Sequence, residues 1–404
     1  MTRTHLLQEV RHMRFEELYG RWRGGRLSQA QAAQIFGVCE RTFRRWSGRY
    51  EEEGIEGLAD RRIGRLSARR APVDEVTEVL GLFETRYSDF TVKHFHEKLV
   101  NNHACTRSYS WTKNTLQSSG MVKKAKRRGA HRRKRERKPV TGMMLHQDGS
   151  THEWVPDKQW DLIVTMDDAD NTIYSALFVD EEGTMSSFVS TSETIEKHGL
   201  FSSLYVDRGS HYWHTPKAGG KVDKANPTQF HRALKQLGIE LIAAYSPQAR
   251  GRSERMFKTL QDRLPKELAL AGVTDMDDAN RFLKKVYIPM HNKRFAIEPQ
   301  EKETAFIPWI GSSLGDVLCV QENRTVGNDN TVRYNRRILQ ISKDRHRLHY
   351  VKAGVRVHEY PDGSLAVFHG PRCLARYNND GSLTQPKKEE PNKIKRKDPM
   401  LNNG

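Results

Sequence analysis

Apolar positions in the first 65 residues recur at helical spacing. In Leu27–Tyr50, Ser28 can cap a helix on which Ala32, Ala33, Ile35 and Phe36 share a face. Gly37 ends that helix, because glycine takes the left-handed conformation cheaply. A second helix starts at Glu40; Val38, Phe43 and Trp46 point inward, while Arg41, Arg44, Arg45 and Arg49 point out. The pattern predicts a helix-turn-helix whose basic second helix suits the DNA major groove. Residues 70–122 repeat the theme. Asp74 can cap a helix carrying Val76, Val79, Leu80 and Phe83, and a further helix covers 92–101. Ser110–Ser119, with Lys113, reads as a second recognition helix of a winged-helix-like domain, or as a plain helical spacer.

Residues 123–139 carry almost no apolar atoms, and Arg127, Arg128, Arg132 and Arg133 make the stretch a basic linker laid along phosphates. From 140 the period changes. Three runs ending near residues 155, 167 and 180 are joined by tight turns and predict antiparallel strands. Helix and strand then alternate to about residue 300, as in a ribonuclease-H-like fold. Short strands over 310–378, with a hairpin turn at Pro361–Ser364, predict a small β-barrel. Residues 384–404 read as a disordered basic tail.

The expected architecture is therefore a multidomain α/β chain. It has a helix-turn-helix domain (1–65), a second helical DNA-binding domain (70–122), a linker, a ribonuclease-H-like catalytic domain with a mixed sheet (140–300) and the barrel. Charge sharpens the picture. The 404 residues carry a net charge of +18, an excess that calls for a polyanionic partner such as nucleic acid. No run approaches the eighteen or so apolar residues of a membrane helix, and the first residues lack the apolar core of a signal peptide. The expectation is a cytoplasmic, nucleoid-associated protein with no membrane partner. Cys39, Cys105, Cys319 and Cys373 form no CxxC pair, which argues against structural zinc.

Three acids stand out, two of them at strand positions where acids are costly to bury. Asp148 lies inside the first strand of the β region, Asp207 ends the fourth, and Glu254 opens a helix. Such placement needs pairing or a cation, and an all-oxygen donor set suits Mg2+ or Mn2+. Two ions about 4 Å apart could activate a nucleophile and hold the leaving oxygen in phosphoryl transfer. Other acids compete for the role. Asp167, Asp168 and Asp170, and likewise Asp180, Glu181 and Glu182, sit at turns and read as structural. Glu193 and Glu196 read as helix surface. Gln248, Arg250 and Arg252 precede the Glu254 helix and can clamp phosphate.

The motifs HQDGS, VDRGS and SPQARGRSERMFKTLQ, in that order, resemble those of DDE transposases and retroviral integrases, and in particular ISNCY-like insertion-sequence transposases. The resemblance covers roughly 140–300. It implies that Asp148, Asp207 and Glu254 hold two Mg2+ or Mn2+ ions and that Lys258 meets DNA near the scissile phosphate. It also implies binding to double-stranded DNA, both element ends and target, and action as at least a dimer. The barrel resembles the one that follows the catalytic domain in Mu-type transposases. In one respect the chain departs from the pattern. Forty-six residues separate Asp207 from Glu254, against about 35 in integrase-like members. The extra segment, HYWHTPKAGGKVDKANP, reads as an insertion loop that contacts DNA. Two other functions fit parts of the pattern: a DNA-binding regulator without activity, and a ribonuclease-H-like nuclease acting on RNA hybrids or junctions.

Overall fold

The computed structural model describes residues 3–59, 70–124, 136–216, 220–245, 251–311, 313–343 and 347–384. The chain divides into two compact units, 1–88 and 89–404.

In the first unit, α1 (Arg3–Arg23), α2 (Gln29–Phe36) and α3 (Glu40–Glu53) enclose an aromatic core of Phe15, Leu18, Ala32, Ala33, Phe43 and Leu58. Ser28 forms the expected cap: its hydroxyl accepts from Gln31 N–H, and the Gln31 side chain accepts from Ser28 N–H. Gly37 closes α2 with φ +83°, a backbone region that any other residue enters at a cost. Ile35 does not join the buried face as expected and stays 46% exposed. At 100° per residue it lies well round the helix from Ala32, Ala33 and Phe36. In α4 (Val73–Arg86), Val79 and Phe83 are buried; Asp74 lies in the first turn, and the capping position falls to Pro72.

The second unit opens with α5 (Val92–Asn102) and α6 (Tyr109–Ser118). It is built around a five-stranded sheet of β1 (Leu145–Val155), β2 (Lys158–Asp167), β3 (Ile173–Val179), β4 (Ser203–Val206) and β5 (Glu240–Ala243). The order is β3-β2-β1-β4-β5. β1, β2 and β3 are antiparallel, and β4 and β5 join β1 in parallel, so the predicted strand sequence is observed. One face is covered by α7 (Thr184–His198) and α8 (Gln229–Gln236), whose Phe188, Ile195, Phe230 and Leu234 pack on Leu145, Leu204 and Leu241. The other is covered by α9 (Gly251–Leu270) and α10 (Met276–Phe282), with α11 (Ile288–Phe295) following through a π turn at Leu283–Tyr287. There Met256, Phe257, Leu260 and Leu264 meet Leu162, Val164 and Met166.

Buried and half-buried charges tie α5 to α9. Glu267 accepts from His94 Nε2 at 2.7 Å and Lys98 Nζ at 2.6 Å, while Arg263 donates twice to Glu97 at 2.7 and 2.9 Å. His291 of α11 is 5% exposed, and burial, with the Arg263 charge beside it, lowers its pKa to about 4. Between that value and the ordinary one near 6.5, the unfolded chain binds a proton that the folded chain refuses. Stability therefore falls as pH drops through this window, by up to about 3 kcal/mol. Asp167, raised by burial to about 6, works in the opposite sense as pH rises toward that value. A His291→Gln comparison isolates the histidine. Between pH 7 and 4.5 the variant should lose clearly less Tm than the parent in calorimetry.

Beyond α11, β6 (Val320–Thr325), β9 (Gly354–Glu359), β10 (Leu365–His369) and β11 (Arg372–Tyr377) form an antiparallel sheet. A separate hairpin, β7 (Thr331–Tyr334) and β8 (Arg337–Gln340), turns through Asn335 and Arg336 at φ +45° and +61°, the geometry of a two-residue hairpin loop. The predicted turn at Pro361–Ser364 is present, with Gly363 N–H on Tyr360 O at 2.9 Å. Both sheets share one core that includes Val332, Leu339, Tyr350, Val357 and Val367. Among the described residues the ladders do not close on themselves, so the expected barrel is here two open sheets. The β7–β8 hairpin pairs only with itself and joins the other sheet through side chains. The expected tail beyond 384 lies outside the described residues.

Candidate active site

Register brings two of the three predicted acids level. Parallel β1 and β4 pair Leu145 with Leu204 and His146 with Tyr205. Two residues on come Asp148 in β1 and Asp207 just past the end of β4; strands paired in this way run about 4.8 Å apart. Asp148 pairs with Val164 across the antiparallel ladder, which puts its side chain on the α9 face; it is 8% exposed. Asp207 is half-buried, and its Oδ1 accepts from Gly209 N–H at 2.7 Å.

Both acids act on Tyr212, which is 1% exposed. Burial raises its phenol well above the ordinary value, and the charges of Glu182, Asp148 and Asp207 push it in the same direction. Tyr212 and Trp213 open the expected insertion loop, yet both belong to the core between β4 and α8. This part of the segment is an anchor rather than a DNA-facing loop; residues 217–219 lie outside the described ones.

α9 is fixed alongside β1 at two points. Arg252 pairs with Asp168 beside His146, and Gln261 Nε2 donates to Ser150 Oγ at 2.9 Å. From Arg252 to Gln261 the helix rises about 13 Å, and from His146 to Ser150 the strand advances about 13 Å. The helix thus runs alongside β1 past Asp148. Glu254 lies on the Gln261 flank, seven residues or nearly two full turns away, and is exposed in the first turn. Among the described residues no three His, Cys, Asp or Glu side chains stand close enough to hold a metal ion. Asp148 and Asp207 share a neighbourhood, and Glu254 is not closed onto them.

Sequence reasoning missed Asp168. It is fully buried and accepts from His146 Nε2 at 2.8 Å, from Lys138 N–H at 2.8 Å and from Arg252. Burial pushes its carboxyl up, but these bonds and the Arg252 charge outweigh that and hold it well below the usual carboxylate range. The available signal was His146, a polar residue in the otherwise apolar start of a strand. Asp167 likewise accepts from Gly142 N–H and Ala169 N–H, each at 2.8 Å.

The predicted DNA-contacting residues are scattered. Arg41, Arg44, Arg45 and Lys113 are exposed, as is Lys258 one turn beyond Glu254. Arg49 is half-buried with Nη2 on Ala59 O at 3.3 Å, and Arg252 is engaged by Asp168. Arg127, Arg128, Arg132, Arg133, Gln248 and Arg250 lie outside the described residues. Cys39, Cys105, Cys319 and Cys373 are free thiols, and no described helix is long and apolar enough to cross a membrane.

A model described as a helix-turn-helix domain matches residues 20–66. Among solved structures, a simian T-cell lymphotropic virus intasome in complex with PP2A regulatory subunit B56 gamma covers 69% of this chain and 91% of its own. It has 15% identity and a TM-score of 0.32, a likeness too distant to bear on site or chemistry. The transposase for insertion sequence IS1202 of Streptococcus pneumoniae is 34% identical over 162 residues, 40% of this chain and 34% of that protein. The protein y4bF of Sinorhizobium fredii (strain NBRC 101917 / NGR234), named as a transposase, is 32% identical over 347 residues, 85% of this chain and 75% of its own length. With that extent of shared sequence, the chain belongs to the insertion-sequence transposases.

Proposed function

We propose that this transposase binds the terminal inverted repeats of its element, hydrolyses the 3′ ends and joins them to target DNA, using Asp148, Asp207 and Glu254 on a ribonuclease-H-like core. The observation that carries the reading is the parallel register of Leu145 with Leu204 and His146 with Tyr205, which carries Asp148 and Asp207, each two residues on and one buried, one half-buried, toward the same level. The exposed arginines of α3 read the repeats, Lys113 and the basic linker add phosphate contacts, and two protomers hold the two ends together.

The donor set fits a divalent cation. Its atoms are hard carboxylate oxygens, and the negative charge already gathered about Tyr212 favours a cation over a further acid. Bound Mg2+ or Mn2+ would lower the pKa of the attacking water or hydroxyl and neutralise the departing oxygen. The protein's part is placement. Strand β1 fixes Asp148, the Gly209 N–H fixes Asp207, and α9 carries Glu254 past them. In each step an oxygen nucleophile, first water and then the freed 3′-hydroxyl, attacks phosphorus while the opposite P–O bond breaks.

The test incubates purified protein and Mg2+ or Mn2+ with labelled DNA carrying its element's ends, beside Asp207→Asn. Nicks at the 3′ ends followed by joined products, both absent with the variant, are expected. DNA binding without cutting under either metal would instead favour a regulator, and cutting that survives Asp207→Asn would place the active site elsewhere.

A further inference from the structure

Glu182 lies in the turn between β3 and α7, where sequence alone gives it a structural reading. Its backbone is pinned: the Glu182 N–H donates to Asp161 Oδ2 at 2.7 Å, and Asp161 Oδ1 accepts from the Thr151 hydroxyl at 2.5 Å. Its carboxylate is thereby carried over β1 at Gly149, on the sheet face opposite the Asp148 side chain. A Cβ built on Gly149 would come within 2.1 Å of Glu182 Oε2, so only glycine leaves room for it there. The other oxygen faces the loop after Asp207. Glu182 Oε1 stands 3.4 Å from His211 Nε2, and the Tyr212 hydroxyl donates to it over 3.4 Å. One carboxylate thus spans the strand that bears Asp148 and the loop that bears Asp207.

We propose that Glu182 is a positioning residue of the reaction site, holding His211 and Tyr212, and through them the Asp207 loop, against β1. The inference rests on the assignment of Asp148 and Asp207 to the reaction. The seat is shaped to the carboxylate: Gly149 leaves the space that Oε2 occupies, and Oε1 meets both His211 and Tyr212, which follow Asp207 closely in the chain.

Two variants separate position from charge. Glu182→Ala removes the acceptor, and Gly149→Ala leaves the carboxylate in the chain but drives it from its seat. Each should lower kcat for end cleavage about 10–100-fold with KM for DNA unchanged, as for a misplaced supporting contact. Glu182→Gln, which keeps an acceptor oxygen, should recover most of the rate. Hydrogen exchange supplies a readout independent of activity. The amides of Gly209, Tyr212 and Trp213, which bond to Asp207 and Gly209, should exchange faster in Glu182→Ala and Gly149→Ala. Wild-type kcat in both alanine variants, or unchanged exchange at these amides, would overturn the proposal. Wild type and Asp207→Asn run alongside: if wild type cuts nothing, the catalytic reading fails, and the exchange data still decide whether Glu182 holds the loop.

Discussion

Asp148→Asn should reduce end cleavage and strand transfer by about a thousandfold or more, the scale of losing a group that stabilises charge in the transition state, while leaving DNA affinity intact. Its effect on stability should have the opposite sign. Asp148 is 8% exposed and shares the surroundings of Tyr212 with Glu182 and Asp207. Asparagine keeps the shape of this buried side chain and removes a charge that burial penalises. Tm, measured without divalent metal, should therefore hold or rise. Activity falling while Tm holds marks a group selected for chemistry. If both fell together, Asp148 would be part of the scaffold and the site would have to be sought elsewhere. Gel-shift binding, single-turnover cleavage and calorimetry on the same preparation give all three readings.

Asp168→Asn should destabilise the protein by about 3–5 kcal/mol, the scale of removing one partner from a buried charge pair, and lower Tm by on the order of 10 °C. The aspartate is fully buried and accepts from His146, the Lys138 N–H and Arg252. Without its charge, Arg252 is left against a neutral amide. The sign of the pH dependence follows from the depressed carboxyl. The pair's contribution is complete above the ordinary aspartate value near 3.9 and is lost as pH falls through the lower folded value. The parent should therefore lose stability in acid where Asp168→Asn changes little. A catalytic effect should accompany the structural one, because Arg252 is two residues from Glu254 on α9. Replacing both partners, as in Asp168→Asn with Arg252→Met, should cost less than the sum of the single changes. Simple additivity would show that the pair does not seat the helix.

Much of this was legible in the linear chain because it is local. The helix-turn-helix follows from a cap at Ser28, a left-handed Gly37 and an aromatic stripe of helical period, and all three are realised. Three antiparallel strands followed by alternating helix and strand were legible from the change in apolar period and the turn residues between runs; that β4 pairs beside β1 was not. Asp148 and Asp207 stood out as acids at the ends of apolar runs, whereas Glu254 was singled out by its motif and is exposed in the first turn of α9.

Relations between distant segments were not legible. Asp168 and Glu182 read as turn acids because sequence shows only the turn. His146 and Arg252, and Gly149 and His211, reach them across many residues. The aromatic residues after Asp207 read as part of a loop, and only the space between β4 and α8 makes them core. The C-terminal strands read as a barrel because period reveals strands, whereas closure depends on which edges find partners. Sequence thus determined what repeats within a turn of helix or a step of strand: elements, caps and the chemical type of the site. Tertiary structure decided which charges are paired and which carboxylates stand together, because desolvation and Coulomb energy depend on distance through space rather than along the chain.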